Sequence, residues 1–146
     1  IKNQKIINQI NPSIKKLLKG FDVLKCDTRE LLLIKDYPKK ESIVNYLFDL
    51  GISEIIVTKG FFGSTIYSKE KDRTAIPSFI PEKVVDTTGC GDTYAAIYAF
   101  ARYKQYSIYH AGLLASAGSG IKTEKTGFLT KSFTKIKLRV NSICQI

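Results

Sequence analysis

Residues 87–92 read Thr-Thr-Gly-Cys-Gly-Asp, and the chain then runs on as an apolar, helix-like segment, Thr93–Phe100. A helix start carries unpaired backbone N–H groups and about half a unit of positive charge. Glycines there leave the amides open, so an anion can approach the backbone without meeting a side chain. Gly89-Cys90-Gly91 therefore reads as an anion cradle, with Asp92 in the first helical turn, where a helix start favours an acidic side chain. Together they suit phosphoryl transfer: the carboxylate takes a proton from an attacking hydroxyl while the amides hold the charge developing on phosphoryl oxygens.

Other chemistry fits less well. Tyr94 stands where the third glycine of a GxGxxG dinucleotide fingerprint belongs, and GxxxxGK[ST] occurs nowhere in the chain. Cys90 at a helix start could be an activated thiol, yet His110 is the single histidine available to serve it. Cys26, Cys90 and Cys144 are scattered, with neither CxxC pairing nor metal-ligand spacing, and read as reduced thiols. The bland alternative is a glycine loop with Asp92 as an ordinary first-turn acid.

The elements that must position these residues follow from periodicity and punctuation. "NPSIKKLLK" (11–19) is read as an amphipathic helix with Ile14, Leu17 and Leu18 on one face, and "GFDVLKC" (20–26) as a short strand. Asp27, three residues before Glu30, has the form of a helix-capping box. Residues 39–50 place Ile43, Leu47 and Leu50 on one helical face ending at Gly51, and "SEIIVT" (53–58) is a buried-strand run. Strand, helix and strand thus recur over about 35 residues, the size of a βαβ unit. "KGFFG" (59–63) makes a turn into strand 64–68, and residues 74–80 form a strand weakened by Pro77. Helices follow over about 92–103 and 107–122, the second rich in small residues that permit close approach of a backbone or a flat ligand. "TKIKLRV" (134–140) alternates basic and apolar residues in the manner of an edge strand.

Length and composition bound the answer. The 146 residues amount to one domain, able to bury roughly 70% of its unfolded surface. A hydrophobic content of 44% with eight Phe and eight Tyr argues against disorder. No apolar run approaches the ~20 residues of a membrane helix, and no signal-peptide pattern opens the chain, so a cytoplasmic protein without a membrane partner is expected. The chain begins at Ile1 and contains no methionine, so the expectation is that either its start is missing or it is a piece of something longer. The net charge of +10 raises the question of nucleic acid, but the lysines are spread along the chain in pairs without a nucleic-acid-binding motif. A basic solvated surface also suits anionic substrates such as nucleotide phosphates.

"DTTGCGDTY" (86–94) resembles the C-terminal signature of the ribokinase-like, or PfkB, carbohydrate and nucleoside kinases, commonly D-T-x-G-A-G-D. "FDVLKCDTREL" resembles the family's strand leading into N-x-x-E, "IIVTKGFFGSTIY" its T-x-G-x-x-G hairpin, and "ASAGSGIKTEKTG" its small-residue helix and following glycine. These segments keep the family's order and span most of residues 20–128. The resemblance implies an α/β fold, part of a three-layer α/β/α sandwich, with residues 1–130 as the nucleotide-binding half and 131–146 as a tail. It implies ATP- and Mg²⁺-dependent phosphoryl transfer to a sugar or nucleoside hydroxyl, with a monovalent cation as an optional further cofactor. Asp92 would be the general base, and Gly89, Cys90 and Gly91 the anion hole. Glu30 would help place Mg²⁺, Asp27 would stand near the phosphates, Thr58, Gly60 and Gly63 would line the ATP site, and Gly127 would close the loop near the base.

The departures are specific. Cys90 replaces the usual alanine, Asp27 replaces asparagine, and Ala96 stands where the family often has glycine. Nothing resembles the family's N-terminal Gly-Gly substrate motif or its β-sheet lid, so a missing N-terminal half or a homo-oligomer partner is expected. The competing readings are a non-catalytic nucleotide-binding remnant, one half of a split kinase, and a basic nucleic-acid-binding module.

Overall fold

The computed structural model describes residues 16–34, 40–70 and 73–144. The order of elements is β1 (Val23–Asp27), α1 (Thr28–Leu33), α2 (Lys40–Asp49), β2 (Glu54–Thr58), a 3-10 turn (Gly60–Phe62), β3 (Ser64–Ser68), β4 (Thr74–Ile76), α3 (Cys90–Tyr103), α4 (Ile108–Lys122) and α5 (Phe133–Cys144). The four strands form one sheet in the order β1-β2-β3-β4. β1 and β2 are parallel, joined through α1 and α2, whereas β2–β3 and β3–β4 are antiparallel.

Alternation along β2 separates two cores, because successive side chains of a strand point to opposite faces. Ile56, with Ile66 and Ile76 on the next strands, packs against α3, α4 and α5, represented by Tyr98, Leu114 and Ile136. Ile55 and Val57, with Cys26 of β1, pack against α1 and α2 through Leu31, Ile43 and Leu47. Helices thus cover both faces of a mixed sheet, the expected α/β/α layering. Among the described residues, β1 forms an outer edge of the sheet.

A buried polar cluster fixes α3 at the N-terminal end of β2. The Tyr98 hydroxyl donates to Glu54 Oε2 at 2.6 Å, and Arg102 reaches Glu54 Oε1 through Nη2 at 2.7 Å and through Nε at 3.0 Å. Burial, together with the neighbouring carboxylate, pushes the Tyr98 phenol far above its ordinary pKa.

Three expectations need correction. The 134–140 segment is not an edge strand; it lies within α5. A strand would put Ile136, Leu138 and Val140 on one face, but Ile136 and Val140, one helical turn apart, are buried while Leu138 is 63% exposed. The strand placed at 74–80 stops at Ile76, where Pro77, lacking an N–H, cannot extend the ladder. Of the helix expected over 11–19, residues 11–15 lie outside the described residues. Residues 16–18 are helical, but Leu18 alone of the apolar pair is buried, and Leu17 faces solvent.

Candidate functional site

The C-terminal ends of β1 and β2 lie side by side, with Asp27 paired to Thr58, and Thr58 is in turn paired to Ser64 at the start of β3. Crevices beyond the carboxyl ends of parallel strands are where open α/β sheets bind ligands. A cleft of about 220 Å³ opens here. One wall is the β2–β3 connection, with Thr58, Gly60, Phe61 and Gly63; the opposite wall is the start of α3, with Thr87, Cys90 and Gly91. Phe79 and Pro81 border it on one side, and Ser116, Ser119, Gly120 and Thr123 of α4 and its end close the floor.

The α3 start has the form its sequence requires. Gly89 is the N-cap in the left-handed region, φ 75°, a conformation glycine adopts without penalty, and no side chain caps the helix. The helix-start amides of Cys90 and Gly91 are therefore not covered by a capping side chain, although Cys90 N–H also makes a 3.2 Å turn bond to Thr87 O. Asp92 is exposed in the first turn. The Cys90 thiol is raised in pKa by burial, which outweighs the pull of the Lys122 charge and disfavours the thiolate. Cys90 and Ser119 clasp each other: Ser119 Oγ donates to Cys90 O at 3.0 Å, and the thiol faces Ser119 O at 3.6 Å.

A Cβ built on Gly91 would lie 2.6 Å from Lys25 Nζ. The ammonium of this β1 residue thus hangs directly over the α3 start, adding a full positive charge to the helix-end dipole. Sequence reading passed over Lys25, which looked like one solvated lysine among many. The alternation of β1 was the available signal, since Lys25 and Asp27 share one strand face.

Asp27 and Glu30 form the anticipated capping box. Asp27 Oδ1 accepts from the N–H of Arg29 at 2.7 Å and of Glu30 at 2.8 Å, while Glu30 Oε2 accepts from Asp27 N–H at 2.7 Å. The Glu30 amide is the largest of the influences that hold the Asp27 carboxyl below its usual range. Each carboxylate keeps one oxygen outside the box, and among the described residues Asp27 Oδ2 meets only Arg29, at 3.9 Å. Two carboxylates with an oxygen outside the box suit Mg²⁺, which takes one or two protein carboxylates and completes its shell with water and substrate phosphates.

The structure therefore brings Thr58, Gly60, Gly63, Cys90 and Gly91 to one cleft, with Gly89 and Asp92 flanking Cys90 and Gly91, and Asp27 beside Thr58. Glu30 stands in the first turn of α1, tied to Asp27. Gly127 does not line the cleft; it sits in the exposed loop beyond Thr123 with φ 86°. Residues that sequence reading missed include Tyr94, whose hydroxyl shares a 2.7 Å bond with Ser64 and is pushed up to about 12 by burial. Ser116 is another: its hydroxyl accepts from Phe79 N–H at 3.0 Å and donates to Pro77 O at 2.8 Å, pinning the far wall. Much of α4's small-residue pattern serves packing: a Cβ on Gly118 would overlap Ile97 of α3, and one on Gly120 would come within 2.6 Å of the Phe79 ring.

A helix-covered mixed sheet with an uncapped, glycine-lined helix start opening on its carboxyl-end cleft defines an α/β domain. Residues 1–135 match the pfkB family of carbohydrate kinases, and the chain belongs to that family. A nucleoside kinase of Methanocaldococcus jannaschii is 34% identical over 98 residues, covering 65% of this chain and 32% of that protein. The crystal structure of a Methanocaldococcus jannaschii nucleoside kinase superimposes with TM-score 0.75 at 28% identity, over 88% of this chain and 42% of that one. An E. coli ribokinase-type protein in complex with ATP and Mg²⁺ gives TM-score 0.81 at 22% identity, over 89% of this chain and 42% of that one. A Burkholderia thailandensis nucleoside kinase in complex with inosine gives 0.80 at 20%, over 94% and 46%. The chain thus spans about a third of the first curated relatives' length, and less than half of the solved chains it resembles. The ribokinase-like α/β fold is established by these likenesses, and among the described residues no helix is long and apolar enough to cross a membrane.

Proposed function

We propose that this chain forms the nucleotide-binding part of a kinase that transfers the γ-phosphoryl group of ATP to a hydroxyl of a sugar or nucleoside. The observation that carries the reading is the α3 start: Gly91 opens on the cleft beneath the Lys25 ammonium, one residue before the exposed carboxylate of Asp92. In the reaction, Asp92 accepts the hydroxyl proton as the acceptor oxygen attacks the γ-phosphorus. The new P–O bond forms as the bond to the β-phosphate bridging oxygen breaks, and ADP leaves. The N–H groups at Gly89, Cys90 and Gly91, with the Lys25 ammonium, stabilise the charge on the transferring oxygens. Thr58, Gly60, Gly63 and Phe61 line the nucleotide's place, and Gly127 lies outside that lining, in the loop beyond Thr123. Asp27 and Glu30 would hold Mg²⁺, which when bound neutralises phosphate charge. Relatives that carry ATP with Mg²⁺, or inosine, support this choice of ligands.

Calorimetric titration of Mg·ATP tests the site, and phosphoryl transfer to a panel of sugars and nucleosides tests the reaction. Asp92→Asn is expected to bind Mg·ATP as the unsubstituted chain does and to lose transfer by about 10²–10⁴-fold, the usual contribution of a general base. Retained transfer in that variant would remove Asp92 from the mechanism. The short coverage of the relatives favours a second reading, in which this chain alone binds nucleotide without turnover. Saturable binding with no transfer to any acceptor would select it.

A further inference from the structure

The turn that leads into α3 is anchored by a buried ammonium. Lys122, the last residue of α4, has a side chain only 4% exposed. Its Nζ lies 3.1 Å from Asp86 Oδ2 and 3.2 Å from the Asp86 carbonyl oxygen. Neutral groups hold the same stretch as well: the N–H groups of Asp86 and Val85 donate to Thr123 O, and Asp86 Oδ1 accepts from Thr88 N–H at 2.9 Å. The next residue, Thr87, supplies the carbonyl that receives Cys90 N–H at 3.2 Å. Asp86 is thus the post from which the 87–89 turn springs, and Lys122 is the charge that fixes the post.

Taking an ammonium out of water is costly, and an apolar side chain of equal length would fill the same space. What only the ammonium supplies is a cation placed between a carbonyl and a carboxylate oxygen of one residue. That is a donor set of the kind an alkali or ammonium ion would accept. We propose that Lys122 is a built-in cation for the anion-accepting loop: its ammonium occupies the seat formed by the Asp86 carbonyl and carboxylate, so the loop is ordered without a dissociable monovalent ion. Lys122 is a positioning residue, acting on the α3 amides through Asp86 and Thr87. The consequence for nucleotide rests on the function proposed above, while the cation seat stands independently of it.

The test compares the unsubstituted chain with Lys122→Ala and Lys122→Met in matched chloride salts of tetramethylammonium, potassium, ammonium and methylammonium. Thermal midpoints and Mg·ATP affinity are both read. The unsubstituted chain should give the same midpoint and affinity in all four salts. Lys122→Ala, which opens both seat and stem space, should bind Mg·ATP about tenfold more weakly or worse in tetramethylammonium. Ammonium or methylammonium should restore most of that affinity and raise its midpoint by about 3–6 °C when the ion stands near ten times its dissociation constant. Lys122→Met keeps the stem volume and should stay folded, with weakened binding that no cation restores. Potassium dependence of the unsubstituted chain would overturn the proposal, as would a Lys122→Met chain of undiminished affinity. If the unsubstituted chain bound no nucleotide, the kinase reading would fall; an ammonium-specific midpoint shift confined to Lys122→Ala would still uphold the seat, and its absence would refute it.

Discussion

Replacing Gly91 by alanine separates the function of the α3 start from its stability. Gly91 lies inside the helix with ordinary helical φ, so alanine should favour the fold, by up to about 1 kcal/mol from helix propensity. In a domain of this size that is a thermal midpoint unchanged or raised by about 2–4 °C. The new methyl group, however, would fall 2.6 Å from Lys25 Nζ, well inside contact distance. The ammonium is the free end of a flexible side chain and will swing aside rather than strain the backbone. Withdrawal of a unit charge from about 4 to about 6 Å from a phosphoryl oxygen, at an effective dielectric of about 20, removes about 1.4 kcal/mol, or tenfold in affinity. The methyl group also occupies the approach to the amides, which adds to the loss. Differential scanning calorimetry and Mg·ATP titration on the same samples give both numbers. A variant as stable as its parent and at least tenfold weaker in binding is expected. Undiminished affinity would refute the assignment of Lys25 and the Gly91 amide to the phosphates; a fall in midpoint would mean that the Lys25–Gly91 approach is a packing contact.

Three further outcomes follow from the geometry. Arg102→Ala leaves Glu54 with the Tyr98 hydroxyl and no guanidinium, at a cost of about 2–3 kcal/mol for this partly exposed pair, to be read by urea unfolding; an unchanged midpoint would show the pair to be dispensable. Gly118→Ala drives a methyl group into Ile97 and should destabilise by about 1–3 kcal/mol, with partial recovery in the double variant with Ile97→Val, whose shorter side chain makes room. The Asp86 carboxyl is held down to about 2 from 3.8, chiefly by the Thr88 amide and hydroxyl and then by Lys122. Because its folded pKa is depressed, its stabilisation is complete above about pH 4 and is lost as pH falls toward 2. Asp86→Asn should flatten that part of the acid-unfolding profile, and an unaltered slope would contradict the assignment.

Much of the site was legible in order along the chain. Asp27 and Glu30 showed their capping box, Gly51 its helix stop, and Gly89-Cys90-Gly91 their helix start, because each depends on neighbours three or four residues away. The sequence by itself also pointed to a sheet covered on both faces, since the β-branched run Ile55-Ile56-Val57-Thr58 offers apolar side chains to each side. Tertiary structure decided what no local pattern encodes. The alternation in "KIKLRV" fits a strand or a helix, and only the core that receives Ile136 and Val140, leaving Leu138 outside, settles it as α5. Lys25 and Lys122 are two lysines in a chain with 23 basic residues, indistinguishable by composition. One comes to the α3 start from β1 and the other to Asp86 from the end of α4, 66 and 36 residues away in sequence. Their roles come from the distances that folding sets, because a charge acts through its separation from its partner and not through its position in the chain.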